Sequence, residues 1–185
     1  GASTVEVGGN VATSFAGGDI KFYYGGAYLS GSNGNGAIDG NVESRFNGFS
    51  FPSQDGTMPK AGSDITGDAK MVFENTTLAS GYSASSASNI GGDQIVNFLG
   101  TSTLSDFVYA EHDSGVLIIE IGDDEGTPTT ATMSGIYSPN HIGETNVLIH
   151  TDATLVPNTT SANDSGAPYH LMGVYDIELE EGGNL

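Results

Sequence analysis

The chain has 185 residues, with 23 acidic side chains against 4 basic ones, and carries a formal net charge of −19. This imbalance excludes a nucleic-acid or anionic-membrane footprint, since both need a basic surface. The absence of cysteine excludes disulfide staples, thiolate catalysis and cysteine-ligated zinc. The length suits one domain with a real core. No apolar run reaches the roughly 18 residues that a spanning helix requires. The opening "GASTVEV" lacks a methionine, as expected of a processed mature form or of a short cloning remnant.

Strand patterns dominate from the first residues. "GASTVEVGGNVATSF" reads as a strand-forming arm over residues 1–16 with glycine hinges. Its Val5, Val7, Val11 and Phe15 are apolar residues to lend to a neighbour's sheet. The remainder, residues 17–185, is expected to be one β-sandwich domain. "DIKFYYGGAYLS", "NVESRFNGFSF" and "DAKMVFENTTL" follow as strands. Between the first two, "GSNGNGAIDG" is turn material and no nucleotide loop, because no helix pattern follows it. No internal repeat stands out at a fixed period.

The stretch "ASGYSASSASNIGG" is the most linker-like segment, and "DQIVNFL" after it carries the one helix pattern. There Asp93 is placed to cap, with Ile95, Phe98 and Leu99 on one face. "DFVYAE", "GVLIIEI", "TTATMSGIY" and "ETNVLIHTD" return to strand patterns. "GVLIIEI" is apolar on both faces except at Glu120, as in a strand covered on both sides. In the last run, "YHLMGVYDIELE", Leu171, Tyr175, Ile177 and Leu179 share one face. Asp176, Glu178 and Glu180 form a carboxylate ladder on the other. Some ten short strands between turn clusters predict an all-β antiparallel β-sandwich of jelly-roll type.

Seven acids lie at or before Lys70, the last basic residue, and 16 follow it. Carboxylates without cationic partners call for a hard cation, for salt or for a basic neighbour. The candidate calcium ligands are Asp123, Asp124 and Glu125 in "GDDEGTP", expected at a hairpin-like turn. Asp64 and Asp68 in "GSDITGD" and Glu111 and Asp113 in "AEHDSG" are the others. His141 with Glu144, and His150 with Asp152, are the histidine pairings that spacing offers, and neither has the helical spacing of a zinc protease. The alternating Asp176, Glu178 and Glu180 imitate a glycosidase acid pair. The chain lacks the tryptophan of a sugar platform and any G-x-S-x-G turn, so no catalytic constellation is expected. Sequons stand at Asn75, Asn158 and Asn163.

The expected function is that of a non-enzymatic structural subunit of a surface or extracellular assembly, such as a filament, tubule or shell. Its contacts would be strand exchange through the arm and cation-bridged acids, including Asp176, Glu178 and Glu180. Its partners would be copies of itself, with room for a second structural subunit, and neither nucleic acid nor a membrane span. A jelly-roll capsid protein of a halophilic or marine virus, located in the virion, and a monomeric ligand-binding β-barrel are the alternatives.

Overall fold

A computed structural model describes residues 6–18, 20, 23, 25, 37–51, 64–79, 81–84, 90–109, 115–138, 143–158 and 170–185. All strand pairs among them are parallel, and the chain winds as a β-solenoid. The longest sheet stacks Val11–Ala16, Val42–Asn47, Ala69–Glu74, Gln94–Leu99, Val116–Ile121, Glu144–Ile149 and Asp176–Leu179 in that order. A second sheet stacks Ser50–Phe51, Thr77–Leu78, Thr101–Leu104, Thr129–Met133 and Ala153–Pro157. A third stacks Tyr82–Ser83, Phe107–Tyr109, Gly135–Tyr137 and His170–Met172. Four successive rungs carry all three faces, about four turns. A short parallel pair, Glu6–Gly8 with Ala37–Asp39, leads into the long sheet and is continued by bridges at Ile65 and Ile90.

Each rung fixes the next through its inward side chains. Phe15, Phe46, Phe73 and Phe98 occupy one register position and stack with centroids 5.2, 6.1 and 5.7 Å apart. Ile121, Ile149 and Leu179 continue the column. Beside it runs Ser44, Met71, Val96, Ile119, Val147 and Ile177. Period-two alternation puts these residues inside and charged neighbours outside.

The corners are laddered as well. Asn10, Asn41 and Asp68 each accept, at 2.9 Å, the backbone N–H of residue 41, 68 or 93 one rung on. At the opposite end of the long strands, Gly48, Asn75, Gly100 and Gly122 all take positive φ. Asparagine and glycine tolerate this left-handed corner.

Three expectations are corrected. The strands are parallel and form no antiparallel jelly-roll sandwich, because the turn clusters join strands of different sheets and close no hairpins. The jelly roll and barrel on which the alternative readings relied go with it. Residues 94–99 form a strand and no helix: Val96 and Phe98 fill the lumen at period two, and tertiary stacking overrides a weak helical pattern. The doubly apolar "GVLIIEI" is a parallel strand. Its Leu117, Ile119 and Ile121 are buried inside, and Ile118 and Glu120 are half-buried outside. Within this chain Val11–Ala16 pairs with Val42–Asn47 as part of the long sheet, while Val5 lies outside the described residues.

Candidate functional site: the outer face of the long sheet

Alternation sends Glu43, Arg45, Lys70, Glu74 and Glu120 to the outer face of the long sheet. There Arg45 Nε pairs with Glu74 Oε2 at 2.9 Å, and Lys70 Nζ with Glu120 Oε2 at 2.7 Å across one intervening strand. Lys70 thus reaches an acid 50 residues away. Both pairs are partly solvated, so each contributes roughly 0.2–1 kcal/mol. Val72, Asn97 and Leu99 also point outward, yet they are buried. They line a groove of about 330 Å³ with these ion pairs and with Asp123, Asp124, Glu125, Thr127 and His150.

The loop that walls this groove follows Ile121. Asn97 Nδ2 donates to the Gly122 carbonyl at 2.7 Å and ties the corner to the sheet. A Cβ at Gly122 would stand 2.8 Å from the Ala153 Cβ and 3.1 Å from the His150 Cβ, so only glycine fits beneath His150. Asp123 then braces the loop. Its Oδ1 accepts the Thr127 N–H at 2.9 Å, its Oδ2 accepts the Thr127 hydroxyl at 2.7 Å, and its carbonyl accepts the Gly126 N–H at 3.1 Å. Burial works to raise the Asp123 carboxyl. The Thr127 bonds, one from the Glu125 N–H and the charge of the His150 ring outweigh it and hold Asp123 below the usual carboxylate range.

Asp124, one residue on, does something different. Its Oδ1 lies 3.4 Å from His150 Nδ1, and Glu180 Oε2 lies 3.4 Å from the same nitrogen. The three ligand atoms fall within 4.8 Å of one another. The His150 side chain is 4% exposed, and its Nδ1 has no hydrogen-bond partner among the described residues. Glu180 Oε2 also accepts the Thr151 N–H at 2.9 Å. That bond is the main cause of a Glu180 carboxyl held below its usual range; burial opposes it, and His150 and the Thr151 hydroxyl add to the lowering.

Among the described residues this is the one cluster of three or more metal-ligating side chains. It joins corners of three successive rungs. The expected set is divided by the structure. Asp123 is taken up within its own loop, Glu125 lines the groove, and only Asp124 enters the cluster. The expected hairpin is a corner between two sheets. Asp68 supports the corner ladder through Asp93, and Asp64 takes a positive φ. Glu111 and Asp113 lie outside the described residues, as does His141. Asp176 and Glu178 are exposed on the last strand, whereas Glu180 belongs to the cluster.

His150 was paired with Asp152 by spacing, but its partners lie 26 residues before it and 30 after. Only the parallel register brings them together. Comparison with known family models, with curated proteins and with solved structures finds no match.

Proposed function

We propose that the chain is a non-enzymatic structural module of a surface or extracellular assembly, lengthened by stacking end to end on copies of itself. The observation that carries this reading is the last rung. Tyr175, Ile177 and Leu179 occupy the inward columns that are buried or half-buried in the rungs before them, yet they are 74%, 40% and 51% exposed. In the same register Tyr175 donates its N–H to the Thr145 carbonyl. A strand edge with exposed column residues is a template for another strand.

The matching surface is at the other end of the same sheet. Val11–Ala16 offers half-buried Val11, Thr13 and Phe15 in the corresponding columns, and its outward Ala12, Ser14 and Ala16 set no charge against Asp176 and Glu178. A contact between unlike ends is heterologous and builds filaments. Burying the exposed fractions of Tyr175, Ile177 and Leu179 contributes about 2–5 kcal/mol. Association costs about 4–15 kcal/mol, so stacking is concentration-dependent. The carboxylates at the joint add a salt dependence.

Sedimentation over a range of protein and salt concentrations, followed by electron microscopy, tests this. We expect linear particles one solenoid wide, favoured by salt and lost in the double variant Ile177→Glu/Leu179→Glu, which alters only exposed positions. A wild-type chain that stays monomeric throughout, or a variant that associates equally well, would overturn the reading.

A further inference from the structure

We propose that Asp124, His150 and Glu180 bind one divalent transition-metal ion of the zinc class, through His150 Nδ1 and one oxygen of each carboxylate. A buried polar atom without a partner is unfavourable, and Nδ1 is such an atom, aimed between two carboxylates. A proton on Nδ1 or a metal ion would each satisfy it, and the distances discriminate between them. At 3.4 Å both carboxylate oxygens lie beyond the roughly 2.7–2.9 Å of a charge-assisted hydrogen bond. Ligand atoms bound at about 2.1 Å to a tetrahedral ion stand about 3.4 Å from one another, which is the distance of each carboxylate oxygen from Nδ1. The two oxygens lie within 4.8 Å of each other, and rotation of the exposed Asp124 side chain closes that edge on binding.

The donor set points the same way. One imidazole nitrogen and two carboxylates suit zinc-like ions, whereas calcium gathers 6–8 oxygens. The adjacent carboxylate in the loop, Asp123, has both oxygens engaged by Thr127. The ligands are held before any ion arrives. The Thr151 N–H fixes Glu180 Oε2, His150 N donates to the Ile121 carbonyl at 3.0 Å, and the Asp123–Thr127 bonds brace the loop that carries Asp124. Such outer contacts orient ligands. The Asp124 side chain is 93% exposed, so water can take the fourth position from the groove side. The site lies within one chain and needs no stacked neighbour.

Calorimetry of the full chain with Zn²⁺, together with visible absorption of the Co²⁺-loaded chain, tests the site. We expect one ion per chain and Co²⁺ bands of a four-coordinate centre. Asp124→Asn, at an exposed position that leaves the fold intact, and Glu180→Gln should each weaken binding about tenfold or more. His150→Gln should abolish it. The proposal is overturned by an absence of saturable Zn²⁺ binding. It is equally overturned by binding that survives Asp124→Asn and Glu180→Gln, or by Ca²⁺ binding more tightly than Zn²⁺ at these residues.

Discussion

Tyr82 lies in the lumen with its ring 4.9 Å from that of Phe73, and burial pushes its phenol above the ordinary value. The folded state therefore holds this proton more tightly than the unfolded chain does. Its contribution to stability is complete below about pH 10, the unfolded value, and is lost as the pH rises above it. In an absorbance titration of the eight tyrosines, at least one should ionise only together with loss of the β signal in circular dichroism. Eight reversible ionisations near pH 10 in a chain that stays folded would contradict this. At this scale the sequence was informative where chemistry is local. Alternation alone separated Tyr175, Ile177 and Leu179 from Asp176, Glu178 and Glu180, but Leu171, expected on the same face, belongs to the separate strand His170–Met172 of the third sheet. It could not separate Asp123 from Asp124, because their different roles depend on Thr127 and on a histidine one rung away.

The phenylalanine column is the strongest link between elements. Phe46, Phe73 and Phe98 are fully buried, and Phe46 and Phe73 each stack on a phenylalanine in the rung before and in the rung after. Phe73→Ala should destabilise the chain by about 3–5 kcal/mol, measured by denaturant unfolding. A loss below about 1 kcal/mol, the level of an ordinary surface change, would mean that the column is not packed as described. The column was also legible. "GNVATSF", "GNVESRF", "GDAKMVF" and "GDQIVNF" share a glycine, an Asn or Asp corner and a phenylalanine five positions beyond that corner. The pattern recurs at intervals of 31, 27 and 25 residues, so a search for one fixed period misses it. The helical reading of residues 93–99 fails against the same alignment, since "GDQIVNF" matches three strands. Direction is harder to read: inward and outward residues alternate identically in parallel and antiparallel sheets. The doubly apolar "GVLIIEI" is the one local sign of parallel pairing.

At the scale of the whole molecule, the parallel winding converts a chain of net charge −19 into an ordered surface. It carries Lys70 to Glu120, gathers Asp124, His150 and Glu180 from corners of successive rungs, and leaves Tyr175, Ile177 and Leu179 at one end of the columns. None of these meetings is local in sequence, which explains why the acids were legible as candidates while their partners were not. The proposed metal site and the proposed stacking surface both depend on this register, and the chain's lack of cysteine allows a direct test of it. Thr101 pairs with Thr130, and Thr103 with Thr132, on the outer face of the second sheet. Cysteines placed as Thr101→Cys/Thr130→Cys or as Thr103→Cys/Thr132→Cys should each oxidise to an intramolecular disulfide, because adjacent parallel strands run about 4.8 Å apart. The crossed variants Thr101→Cys/Thr132→Cys and Thr103→Cys/Thr130→Cys should remain reduced. Bridging by the crossed pairs in preference to the matched ones would establish antiparallel pairing and contradict the solenoid.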